Sequence, residues 1–200
     1  MVGGAEGESM VKVGGSLFDL PDLGVRLSGW LNQLDADKVL LVPGGGITAD
    51  AIRALDRTHH LGEEASHWLA LEAMSINARF LQVLLPTAKI VADIPVGSTG
   101  LHILDASPFF RADEERHDHL PHTWQVTSDS LAVRVAVLAR ARELILLKSV
   151  DWPGDDWAAA SRAGVVDGYF AAAVRSAPGE LRIRVVNLRS SPLRLGDPGR

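Results

Sequence analysis

Apolar positions along the chain fall into two patterns, short unbroken runs and longer stretches spaced three and four apart, and the two take turns. The run opening at Val11 stops at Gly14, Gly15 and Ser16, and that ending at Val42 stops, after Pro43, at Gly44, Gly45 and Gly46. Each reads as a buried strand that delivers a glycine loop at its carboxyl end. Between them, Leu23, Leu27, Trp30, Leu31 and Leu34 recur at helical spacing behind Asp22, a candidate cap. Thr48 is placed to cap the next helix, and 61–85 reads as a long one with Leu71, Met74, Ala78, Leu81 and Leu85 on one side and Pro86 ending it. Further strands are expected over 89–94 and 101–104.

Past a polar stretch at 111–122, Thr127 or Ser128 can cap a helix whose apolar face is Leu131, Val135 and Leu138. A buried strand at 143–147 returns and ends on Lys148. Short helices over 157–162 and 168–176 and a last strand over 181–187 complete the order. Strands alternating with helices predict an α/β fold with a mainly parallel open sheet. Residues 1–9 and 189–200 read as tails, leaving 10–188 as one domain.

Composition narrows the choices. With 200 residues, 46% of them hydrophobic, the chain can bury one good core. A net charge of −5 without a basic block suggests neither a nucleic-acid groove nor an anionic membrane surface, so any phosphate site must be local. The absence of cysteine removes disulfides, thiolate catalysis and thiolate-bound zinc, and suits a reducing compartment. No apolar run reaches the roughly 20 residues that span a bilayer, and the start lacks the order of a signal peptide. A cytoplasmic protein, with no membrane partner and no nucleic-acid partner, is the expectation.

The glycine loops carry the chemistry. Without Cβ atoms, the amides around Gly14 and Gly15 can converge on anionic oxygens, with Lys12 adding a charge beside them. Ligands of open α/β sheets sit beyond the carboxyl ends of the strands, where anions face helix N-termini. Two such loops suggest two phosphate groups. Asp129, in the first turn of its helix, can hold Lys12 in place, and Lys148 ends its strand on the same edge. His67, near the start of the long helix, can meet a substrate anion. The polar stretch holds His117, His119 and His122 among acidic residues, but the spacing matches no zinc pattern. A solvated loop or lid is expected there, and no metal is assigned.

Three segments in this order, VKVGGS, VPGGG and VTSDSLA followed by LILLKSVD, resemble the amino acid kinase family from about Met10 to Asp151. The resemblance implies a three-layer α/β/α sandwich and an ATP-dependent, Mg²⁺-assisted kinase, working as a homodimer or higher homo-oligomer. It implies that Lys12, Gly14, Gly15, Ser16, Gly46, Lys148 and Asp151 bind the nucleotide, and that Lys12, Asp129 and Lys148 are catalytic. Gly44 and Gly45 would hold the acceptor, with His67, Trp124, Thr127 and Ser128 lining its pocket. PGGGITADAIR, EASHWLALEAM, HTWQVTSDSLA and GVVDGYF point more narrowly to members whose acceptor is a small phosphorylated substrate, (5-(aminomethyl)furan-3-yl)methyl phosphate. Trp152 stands where most relatives carry the glycine of VDG, and the segment that normally covers adenine is short. Alternatives are a kinase for isopentenyl phosphate or UMP, and a non-catalytic oxyanion-binding protein on the same fold.

Overall fold

The computed structural model describes residues 8–179 and 181–190. Six parallel strands form one sheet: β1 (Glu8–Val13), β2 (Lys38–Pro43), β3 (Lys89–Val91), β4 (Gly100–Leu104), β5 (Glu143–Lys148) and β6 (Arg182–Asn187), in the order β3-β4-β2-β1-β5-β6. The helices are α1 (Leu23–Leu31), α2 (Gly46–His59), α3 (Glu63–Leu84), α4 (Ala106–Asp113), α5 (Ser128–Leu138), α6 (Trp157–Arg162) and α7 (Phe170–Ser176).

The strands are apolar on both faces because both are covered. Met10, Leu40, Val42, Leu104, Leu144 and Leu146 face a core shared with α4, α5, α6 and α7. Their neighbours Val11, Val13, Val39, Leu41, Ile103, Ile145 and Leu147 face a second core with α1. The long helix α3 serves both: Leu71 and Met74 join the first core, Ala78 and Leu81 the second. This is a three-layer α/β/α sandwich, as the alternating pattern predicts. In α1, Leu23, Leu27 and Trp30 are fully buried at i, i+4 and i+7, the two leucines contributing about 1.5–3 kcal/mol each.

Several boundaries and caps differ from expectation, each for a local reason. Strand β1 begins at Glu8, inside the stretch read as a tail; residues 1–7 and 191–200 lie outside the described residues. Strand β3 ends at Val91 rather than 94, where Asp93 accepts a hydrogen bond from the Ile94 amide and turns the chain. Helix α4 is unexpected; its Pro108, at the third helical position, forfeits no intrahelical bond, while Phe109 and Phe110 are buried. Asp22 stands at the cap position of α1, but its carboxylate accepts from Arg26 Nε at 2.8 Å instead of from a helix amide. Thr48 lies inside α2, which starts at Gly46, and its hydroxyl donates to Asn77 Oδ1. Helix α5 buries more than the single face expected for it: every residue from Ser128 to Ala136 is buried, because sheet and helices enclose it on several sides.

Candidate active site

Strand order reverses between β1 and β5, the kind of point where open α/β sheets form a crevice at their carboxyl edge. Side chains alternate along a strand, so Lys12 shares the α5 face with Met10, and Lys148 shares it with Leu144 and Leu146. Both lysines thereby reach the first turn of α5. Lys12 Nζ lies 2.7 Å from Asp129 Oδ1, and Lys148 Nζ donates to both Asp129 oxygens at 2.7 Å. All three side chains are buried. Burial alone would raise Asp129, but the two ammonium groups overcome it and hold the carboxyl at about 2. Lys148 is pushed down to about 8 by burial and by the charge of Lys12, against the pull of Asp129. Two cations thus share the Asp129 carboxylate, with the Asp167 carboxylate close enough to act on Lys148 as well.

The glycine loops meet each other above this floor. Gly14 N donates to Leu147 O and Gly44 N to Val13 O, both at 2.8 Å, so each loop is tied to its neighbouring strand. A Cβ on Gly15 would fall 2.2 Å from Gly46 N, and one on Gly44 would fall 2.4 Å from Gly15 N. Glycine is required because the backbones touch. Gly46 adds a positive φ of 52° at the start of α2, whose first amides have no intrahelical acceptor and open toward the crevice.

A cleft of about 530 Å³ lies over these groups. It is lined by Lys12, Gly14, Gly15, Ser16, Gly45, Gly46, His67, Trp124, Thr127, Ser128, Asp129 and Lys148, all of them candidates from the sequence. Two candidates stand outside the lining. Gly44 supports it from beneath, its carbonyl accepting from Asn77 Nδ2 at 2.8 Å, and Asp151 accepts from Asn187 at 3.2 Å. Ser16 and Ser149 join their hydroxyls at 3.0 Å at one side. Trp124 donates Nε1 to Asp56 at 2.8 Å, and the Arg53 guanidinium sits 4.8 Å above its ring. His67 stacks on His122 with ring centroids 4.0 Å apart; burial, then the nearby charge of His122, lowers it to about 4. At neutral pH His67 is therefore an uncharged hydrogen-bonding group.

Sequence reasoning missed two supports. Asp167, in the loop before α7, accepts from the Thr127 amide (3.0 Å), the Thr127 hydroxyl (2.9 Å), the Ser130 amide (2.9 Å) and the Ser130 hydroxyl. The Thr127 hydroxyl, read as the cap of α5, gives its proton away, and the cap is supplied by a carboxylate forty positions later. Burial, reinforced by the charge of Asp129, raises Asp167. Asn77, buried on α3, donates to the carbonyls of Gly44 and Gly45 at 2.8 Å each and fixes the second loop. A polar residue on the apolar side of a helix is a signal the sequence does carry.

The 111–122 stretch is largely exposed, as expected of a solvated loop, and it is also fastened. Buried Arg134 on α5 grips Asp113 through Nε and Nη2 at 2.9 and 2.8 Å and Asp118 at 2.8 and 3.0 Å. Asp118 is held down to about 2, foremost by those hydrogen bonds.

Paired lysines on one aspartate thus lie beneath two apposed glycine loops at the sheet's switch point, an arrangement of cations and backbone amides that can hold anionic oxygens. The chain belongs to the amino acid kinase family, whose sequence model matches residues 10–151. It is 27% identical over 147 residues to the [5-(aminomethyl)furan-3-yl]methyl phosphate kinase of Methanocaldococcus jannaschii, covering 71% of this chain; it spans 66% of that relative's length. In structure it resembles the UMP kinase of Ureaplasma parvum, with a TM-score of 0.61 at 14% identity over 92% of this chain and 91% of that one. It also resembles the aspartate kinase of Synechocystis, with a TM-score of 0.61 at 13% identity over 88% of this chain and 38% of that one. These likenesses bear on the fold. Among the described residues no helix is long and apolar enough to cross a membrane.

Proposed function

We propose that the protein is an ATP-dependent phosphotransferase that moves the γ-phosphoryl group onto a small phosphate monoester and releases a diphosphate. The observation that carries this reading is the Lys12–Asp129–Lys148 group at the junction of the two glycine loops. In the reaction, an oxygen of the acceptor phosphate attacks the γ-phosphorus as the bond to the β–γ bridging oxygen breaks, and ADP leaves with that electron pair. An acceptor already ionised needs no general base, so catalysis rests on alignment and on compensating charge as it spreads over the transferring group.

Gly14, Gly15 and Ser16 would hold the nucleotide's phosphates on one side, and Gly44, Gly45 and Gly46 the acceptor and transferring group on the other. Lys12 and Lys148 would face the transferring group between them. Asp129 acts through the lysines: it keeps both ammonium groups aimed at one point. Both of its oxygens are occupied, and the carboxylate of Asp167 is taken by α5, so neither is left free to hold a cation. The Mg²⁺ that accompanies ATP would ride on the nucleotide's phosphates, adding charge compensation to that of the lysines.

For the acceptor we favour (5-(aminomethyl)furan-3-yl)methyl phosphate. The name of the Methanocaldococcus relative supports it. So does the cleft beyond the lysines, where the half-buried Trp124 offers an aromatic surface for a small flat ring, and the Glu63 and Asp50 carboxylates suit an ammonium group. A homodimer would cover Ile76, Phe80 and Val83, which α3 leaves exposed.

The reading is tested by phosphorus NMR of ATP, Mg²⁺ and this acceptor, with isopentenyl phosphate and UMP alongside. A diphosphate made from the aminomethylfuran phosphate supports it. Product from another acceptor alone would overturn the substrate assignment, and no product with no ATP binding would overturn the kinase in favour of an oxyanion-binding role.

A further inference from the structure

Outside the lysine site, the segment after α4 gathers three metal-ligating side chains that phosphoryl transfer does not use. The single oxygen Oε1 of Glu114 lies 3.0 Å from His122 Nε2 and 3.7 Å from His119 Nδ1. The ligand atoms of these three residues fit within 4.8 Å of one another. A tetrahedral zinc ion with bonds of about 2.0–2.1 Å to nitrogen and oxygen keeps its ligands about 3.3–3.4 Å apart. The two separations bracket that value.

The other nitrogen of His122 supplies a second observation. Nδ1 lies 2.6 Å from Glu64 Oε2, and Glu64 is itself held by Trp68 Nε1 at 2.7 Å. A metal-binding histidine commonly donates its remaining N–H to a carboxylate in this way, which fixes the ring and leaves the opposite nitrogen as a lone pair for the ion. With Nδ1–H given to Glu64, Nε2 faces the oxygen of Glu114. Without an ion, Nε2 and Glu114 Oε1 are held by a hydrogen bond at 3.0 Å, the imidazole bridging two carboxylates; an ion bound there would take the place of that proton. Arg134 pins Asp113 and Asp118 on either side of Glu114, so the segment is already shaped.

We propose that Glu114, His119 and His122 form a site for a zinc-class divalent ion, which fastens the 114–122 segment to α3 beside the substrate cleft. Two imidazoles and one carboxylate suit Zn²⁺ and its neighbours, whereas Mg²⁺ prefers oxygen alone. His119 turns from the Leu120 carbonyl, now 3.1 Å from Nδ1, to the ion; water takes the fourth position. Because His122 stacks on His67, which lines the cleft, the ion positions that wall without touching the reacting phosphates. The site does not depend on phosphoryl transfer and can be tested without it.

The test is competition of the untagged, EDTA-treated protein with a chromophoric chelator for Zn²⁺, followed by the visible spectrum with Co²⁺. The expected result is about one ion per chain, a four-coordinate Co²⁺ spectrum, and no competition from Mg²⁺. Glu64→Gln should weaken Zn²⁺ binding by about 10–100-fold, as loss of a supporting carboxylate does. His119→Ala should remove it, and since His119 is exposed this variant is expected to stay folded, which a melt without metal verifies. His117→Ala, in the same segment but outside the cluster, should bind as the parent does. Lack of saturable Zn²⁺ binding would overturn the proposal, as would binding unchanged in both His119→Ala and Glu114→Gln.

Discussion

Replacing Asp129 by Asn keeps the shape of the side chain and removes the one negative charge that two buried lysines share. In the parent, ionisation of Asp129 at about 2 instead of the ordinary 3.8 contributes about 2 kcal/mol at neutral pH. Breaking a buried ion pair from one side costs about 3–5 kcal/mol, because the partner is left charged and unpaired. Here the partner has an escape. Lys148 already sits at about 8 with Asp129 beside it, and loss of that carboxylate lowers it further, so shedding its proton at pH 7 costs about 1 kcal/mol or less. The net loss is therefore about 2–4 kcal/mol, which for a chain of this size lowers Tm by about 5–15 °C.

The escape leaves a signature in pH. At pH 9 Lys148 has largely lost its proton in the parent too, so the gap between parent and Asp129→Asn should narrow by about 1 kcal/mol. Turnover should fall by about 100-fold or more, since one cation is gone and the other has lost its aim. Thermal melts of both proteins at pH 7 and pH 9, with turnover at saturating substrate, measure all three quantities. Equal Tm at pH 7, or a gap that widens at pH 9, would refute the electrostatic reasoning.

Other consequences follow from the same geometry. Turnover should decline as pH rises through about 8, because the proposed mechanism needs the Lys148 ammonium and its depressed value brings its loss into the measurable range; a flat profile to pH 10 would contradict that role. Acid should act in the opposite sense: the unfolded chain takes up a proton at Asp129 near pH 3.8 and the folded one near 2, so the Asp129 contribution is complete above pH 3.8 and lost as pH falls toward 2, which acid titration of Tm can follow. Gly15→Ala should lower Tm by about 3–10 °C, since its Cβ lies 2.2 Å from Gly46 N and the apposed loops must part. Asp167→Ala removes the cap of α5 and should cost about 1–2 kcal/mol in denaturant unfolding, with the acceptor KM rising as Thr127 and Ser128 loosen.

Much of this arrangement was legible in the residues because it rests on local patterns. Unbroken apolar runs ending in glycine marked β1 and β2, and Leu71, Met74, Ala78 and Leu81 marked the buried side of α3. The two-residue period of a strand is enough to place Lys12 and Lys148 on faces that a helix can reach. What escaped was supplied from far along the chain. Asp167 caps a helix that begins forty positions earlier, and no spacing rule joins Thr127 to it. Arg134 lies in the apolar pattern of α5 yet reaches Asp113 and Asp118, fastening a stretch that is otherwise largely solvated. Helix α4 went unread between the strand at 101–104 and the polar stretch, and its Pro108 sits in the first turn, where it forfeits no intrahelical bond. The glycines were read as makers of room for phosphate; each loop also makes room for the other.

In the proposed function Lys12 and Lys148, held by Asp129, drive phosphoryl transfer between two phosphate groups. The most direct measurement follows [γ-³²P]ATP into product on the aminomethylfuran phosphate, with Lys12→Ala and Lys148→Ala beside the parent and folding verified by thermal melts. Label should appear in a diphosphate with the parent, and turnover should fall by about 100-fold or more in each variant. Full turnover in either folded variant would contradict it.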